Sequence, residues 1–137
     1  MAVVKELIRE ESNGAISFGN YELTEKTKKS DVEISGDSYK VKTFNEITKL
    51  ERNGMFVYES IPGTAVNVFA QKDDKVSFFI DGNGDTQITL ELESNQEYSI
   101  IVGDKDLGVS KTDVGGKITF DAELTKGALT QVVIEKK

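Results

Sequence analysis

Apolar and polar side chains take turns along most of this chain, and turn-forming residues interrupt the alternation about every 8–12 residues. A period of two sorts side chains onto the two faces of an extended strand, so the rhythm points to an all-β protein. Twelve Gly stand against a single Pro. Asn13-Gly14, Asn53-Gly54, Asn83-Gly84 and Gly115-Gly116 suit type I′ turns, in which both central residues take positive φ. One stretch is ambiguous. Val3–Ile8 places its apolar residues on a helix face as well as on a strand, and the Asn-Gly that follows favours strand.

The first hairpin pairs residues 4–11 with 15–23. Thr24–Ser30, with three Lys and no large apolar side chain, reads as a loop or frayed edge. Residues 31–35 and 38–43 alternate around Gly36-Asp37, and Tyr39, Val41 and Thr43 share a face. Residues 47–52 then lead through Asn53-Gly54 into Met55-Phe56-Val57-Tyr58, an apolar run expected to be buried on both faces. Phe56 and Tyr58 share one face by alternation, as do Phe78 and Ile80. In a chain without Trp, such aromatic stripes are expected in the core rather than as stacking platforms.

After Pro62-Gly63, seven short strands follow, at residues 66–70, 76–80, 87–92, 98–102, 108–110, 117–124 and 131–134. That spacing suggests a small immunoglobulin-like or fibronectin-like β-sandwich. The expected organisation is a β-hairpin-rich segment, residues 1–63, and a β-sandwich segment, residues 64–137. Units this small are marginal alone, so they are expected to share an interface or to form one continuous domain.

With 24 acidic against 17 basic residues, the net charge is −7. Such a surface repels phosphate backbones and anionic membranes, so neither nucleic acid nor membrane is expected as a partner. No apolar run is long enough for a signal peptide or a membrane span, which makes the cytoplasm the expected location. The cluster Lys26, Lys28 and Lys29 reads as a solvated loop or a lysine-protected edge strand.

The inventory contains no His, no Cys and no Trp. Ser-His-Asp and Cys-His catalysis and zinc sites built on His or Cys are therefore excluded. Neither a Walker A loop nor a G-x-G-x-x-G motif occurs, and no cofactor is expected. Carboxylate-pair hydrolysis is open by residue type, but no pair stands out. Asp81-Gly82-Asn83-Gly84-Asp85 places oxygen side chains at positions 1, 3 and 5, as a calcium loop begins. Thr86 and Leu92 then stand where an EF-hand needs Gly and a bidentate Glu, so the expected reading is a hairpin turn, with a calcium site as the alternative.

Residues 7–23 (LIREESNGAISFGNYEL), 39–66 (YKVKTFNEITKLERNGMFVYESIPGTAV) and 85–92 (DTQITLEL) resemble a family of short proteins of anaerobic Firmicutes labelled endosialidase. Residues 108–124 (GVSKTDVGGKITFDAEL) are similar, less tightly. The resemblance implies a glycan-acting or carbohydrate-binding protein. Sialidases typically hold the sugar carboxylate with an arginine cluster, whose planar forks make paired charge-assisted bonds. This chain has two arginines, Arg9 and Arg52, so one copy cannot build a three-arginine clamp. The candidate nucleophiles would be Tyr21, Tyr39, Tyr58 or Tyr98.

The residues thus favour a non-enzymatic binding or interaction module, with no catalytic, cofactor or metal residues assigned. Edge strands are its expected surface for self-association or a protein partner. The alternatives are a carbohydrate-binding or glycan-acting protein and a calcium-dependent β-module.

Overall fold

The computed structural model describes residues 3–137, and among them there is no helix. Thirteen strands form two antiparallel sheets. They are β1 (Ile8–Glu10), β2 (Ile16–Phe18), β3 (Thr27–Ile34), β4 (Asp37–Phe44), β5 (Ile47–Arg52), β6 (Met55–Ile61), β7 (Thr64–Lys72), β8 (Lys75–Gly82), β9 (Thr86–Glu91), β10 (Glu97–Val102), β11 (Lys105–Lys111), β12 (Lys117–Ala122) and β13 (Thr130–Lys136). The first sheet runs β1-β2-β7-β8-β13-β10-β11 and the second β12-β9-β6-β5-β4-β3. Both sheets join strands from either side of Pro62: Phe18 of β2 faces Val66 of β7, and Tyr58 of β6 faces Leu90 of β9.

Alternation decides what lies between the sheets. Ile118, Phe120 and Ala122 of β12 point inward, as do Ile88 and Leu90 of β9 and Tyr39 and Val41 of β4. From the other sheet come Val76, Phe78 and Ile80 of β8, Val132 and Ile134 of β13, and Ile100 of β10. Tyr58 is fully buried and reaches across the core into three phenylalanines of the opposite sheet. Its ring meets Phe18 at 5.3 Å and Phe78 at 5.8 Å between centroids, both edge-to-face, the arrangement that ring quadrupoles prefer.

A polar seam ties the sheets together where the chain crosses at Gly63. Thr48 Oγ1 donates to the Thr64 carbonyl at 2.7 Å and accepts from the Thr64 amide at 3.0 Å. Its one proton is thereby used, so in the 2.8 Å contact with Thr43 it is the acceptor. Thr64 Oγ1 lies 2.8 Å from both the Tyr58 hydroxyl and Ser60 Oγ. Among the described residues no buried side-chain nitrogen or oxygen lacks a partner, so the seam carries no desolvation penalty for unmade bonds.

From Thr27, the stretch Thr24–Ser30 takes the edge-strand form of its two expected readings, in an eight-residue strand whose register shifts beside Asp31, a residue with φ of 58°. Three local expectations need correction. Phe56 and Tyr58 do not share a face, because a β-bulge intervenes. Leu50 pairs with Tyr58 and Glu51 with Phe56, leaving Val57 as the extra residue. Phe56 therefore lies half-buried on the outer surface and Met55 is exposed, so the run is not buried on both faces. Of the four expected type I′ turns, only Asn53-Gly54 has both φ values positive, and Ser35-Gly36 is a second such pair that the sequence reading placed one residue later.

Candidate functional site

The tyrosines that a sialidase-like reading would use are committed to structure. Tyr21 donates to Asp81 at 2.8 Å, and burial, reinforced by the Asp81 carboxylate, pushes its hydroxyl well above the ordinary tyrosine range. Burial pushes Tyr58 up to about 12, against the opposing hydrogen bonds of Thr64 and Ser60. Tyr98 is buried and its hydroxyl accepts the Glu93 amide at 3.3 Å; Tyr39 is buried in the core. A nucleophilic phenol must lose its proton, and the shifts at Tyr21 and Tyr58 oppose that.

The two arginines have different surroundings. Arg9 is held by Glu11 at 3.0 Å and Glu6 at 3.8 Å. The Arg52 guanidinium has no hydrogen-bond or ion-pair partner among the described residues. It lines a cleft of about 250 Å³ at the end of the sandwich, with Phe56, Asp73, Asp74, Glu91 and Glu93. Four carboxylates around Arg52 and Lys75 give this cleft the wrong sign for gripping a sugar carboxylate. Glu91 and Glu93 are further tied to Lys117 at 3.7 Å and Lys136 at 3.2 Å.

Asp81, Asn83 and Asp85 do not converge. Asp81 closes β8 and is buried, while Asn83 and Asp85 are exposed in the following loop. Both Asp81 oxygens are occupied, Oδ2 by Tyr21 at 2.8 Å and Oδ1 by the Gly127 amide at 2.9 Å. Among the described residues no three acidic side chains are grouped to hold a metal ion.

The sheet edges differ in how they are guarded. β1 has three residues; β3 is kinked beside Asp31 and rich in lysine; β11 shifts register beside Gly108 and carries Lys105 and Lys111. Each is a standard protection against strand addition. β12 is different: all six residues pair with β9 in unbroken register. The Leu92 amide donates to the Gly116 carbonyl at 2.7 Å, which fixes the phase of the ladder. Even-numbered residues of β12 bond to β9, and Lys117, Thr119 and Asp121 direct their peptide groups outward. Asp113 satisfies Lys117, accepting its amide at 2.9 Å through Oδ1 and donating to its carbonyl at 3.1 Å. The amides and carbonyls of Thr119 and Asp121 remain for a further strand.

The lysine cluster is divided by the register of β3. Lys29 reaches the Glu6 carbonyl at 3.4 Å, whereas Lys28 lies directly opposite Lys42 on the outer face of the second sheet. No sequence signal announces that partner, because Lys42 looks like any solvent-facing residue of an alternating strand.

Comparison with family models, with curated proteins and with solved structures finds no match.

Proposed function

We propose that the chain is a non-enzymatic interaction module that pairs with a second copy of itself along β12. The observation that carries the reading is the regular, unguarded β12 edge with its four outward peptide groups. Antiparallel pairing about Phe120 brings Thr119 of one copy opposite Asp121 of the other, the phase those groups require. Asp113 already occupies the outward peptide groups of Lys117, so the paired stretch is Thr119 to Asp121. On the inner face Phe120 meets its own counterpart, and Ile118 meets Ala122.

An edge-to-edge contact is small, so the association is weak, with a dissociation constant on the order of 100 μM. Sedimentation equilibrium tests it with Thr119→Pro. That substitution removes an amide pointing away from β9, so the internal ladder stays intact. Wild type should dimerise and the variant should not. A single monomeric species at every accessible concentration overturns the reading.

A further inference from the structure

Bulges in β6 and β7 turn apolar side chains into one cleft at the end of the sandwich. In β7, Val68 and Phe69 together stand against Phe78 of β8. Alternation from the inward Val66 would send Phe69 outward, and the extra residue turns it in, where it is buried. Val68 takes φ of 55°, a conformation that a β-branched residue rarely adopts. In β6 the extra residue Val57 is likewise buried. Phe69 and Ile16 of the first sheet and Leu50 and Val57 of the second line a cleft of about 320 Å³ between the sheets. Bulges and strained backbone of this kind gather where a site re-aims its side chains.

Unmatched polar groups border this apolar floor. Tyr39 is only 5% exposed, yet its hydroxyl has no hydrogen-bond partner among the described residues. Every fully enclosed polar side-chain atom among those residues does have one, so the hydroxyl is the part of Tyr39 that reaches the cleft. Arg52 lies opposite Tyr39 in the pairing of β4 with β5, and its guanidinium is also without a partner. Lys72 is exposed on the same lining. Arg52 and Val57 border the acidic cleft as well, but no carboxylate lines this one.

We propose that the cleft binds a medium-chain fatty acid, its carboxylate held by Arg52 and the Tyr39 hydroxyl and its alkyl chain laid along Ile16, Leu50, Val57 and Phe69. A guanidinium meets a carboxylate with paired charge-assisted bonds, and the phenol donates one more. A sugar fits poorly, because its ring hydroxyls would be stripped of water against apolar side chains. A cationic ligand meets Arg52 and Lys72, and a neutral one leaves the guanidinium unmatched. Ligand pockets start at about 300 Å³, so this one suits a chain of about eight carbons rather than a long one. None of the lining residues belongs to β12, and Thr119→Pro should leave binding intact.

Titration calorimetry with octanoate, kept below its micellar concentration, tests the proposal. Saturable binding is expected. Arg52→Gln should weaken it about tenfold, through loss of a charge-assisted bond, and Arg52→Lys should weaken it less. Tyr39→Phe keeps the ring in the core and should weaken binding about fivefold. Neither group is bonded within the fold, so both variants should melt as wild type does. Octanol and octylammonium should bind at least as weakly as octanoate does to Arg52→Gln, and glucuronate, a carboxylate on a polar body, should not bind. Absence of saturable octanoate binding overturns the proposal, as does binding that Arg52→Gln or Tyr39→Phe leaves unchanged. Octanol binding as tightly as octanoate would reduce the cleft to an apolar crevice, and glucuronate binding more tightly would assign it to a sugar; either result overturns the proposal too.

Discussion

The Tyr21 hydroxyl donates to Asp81 Oδ2 across 2.8 Å, joining the segment after β2 to the end of β8 inside the protein. With the Gly127 amide on Oδ1 at 2.9 Å, the buried carboxylate has one donor on each oxygen. Tyr21→Phe removes one donor and leaves the acceptor buried, so unfolding in urea should show a loss of about 2 kcal/mol. Millimolar calcium should leave the melting temperature of the wild type unchanged, because a ligand that stabilises the fold must first displace these bonds.

Tyr58 carries two burdens that substitution can separate. Tyr58→Phe keeps the edge-to-face contacts with Phe18 and Phe78 and loses only the hydroxyl bonded to Thr64, which should cost about 1 kcal/mol. Tyr58→Ala empties the centre of the aromatic cluster and should cost about 4 kcal/mol. Since burial pushes this phenol up to about 12 and Tyr21 well above the ordinary range, ultraviolet titration should show two tyrosines that ionise only with unfolding.

Much of this architecture was legible in the alternation. The seven strands expected after Pro62 correspond to β7 through β13, because each has a polar face and an apolar face separated by turn residues. What failed was anything that breaks period two. The extra residue Val57 sends Phe56 outward, and no local pattern distinguishes a bulged strand from a straight one. The polar seam was hidden for a different reason. Alternation puts Thr43 on the face of Tyr39 and Val41, but only the crossing at Gly63 brings Thr48 and Thr64 together beside it. The open edge of β12 and the placing of Lys28 opposite Lys42 are properties of strand order and register, which a single strand's sequence does not contain.

Two glycines should separate close approach from turn preference. A Cβ on Gly63 would lie 2.1 Å from the Phe44 carbonyl oxygen, with backbone on both sides, so Gly63→Ala should prevent folding or cost more than about 4 kcal/mol. Gly54 has φ of +78° but open space around it, so Gly54→Ala should cost about 1 kcal/mol from backbone strain alone. Circular dichroism melts of the pair give the ranking, and equal losses would refute the role assigned to the crossing.

Glu11 makes stability depend on acid. Its carboxylate accepts from Ser17 Oγ and from Arg9 Nε, the latter at 3.0 Å, and Ser17 Oγ in turn accepts the Val68 amide of β7 at 3.0 Å. The Ser17 bond, opposed by partial burial and assisted by Arg9, holds Glu11 below its usual value of 4.5. A carboxyl with a depressed value in the folded state binds its proton more readily when unfolded. Its contribution is therefore complete above 4.5 and is lost as pH falls through the lower folded value. Glu11→Gln should accordingly be less stable than wild type at neutral pH, by about 1 kcal/mol, and the gap should narrow as pH falls below 4.5. Urea midpoints of both proteins across that range measure it; a constant gap would place the effect of Glu11 in packing rather than charge.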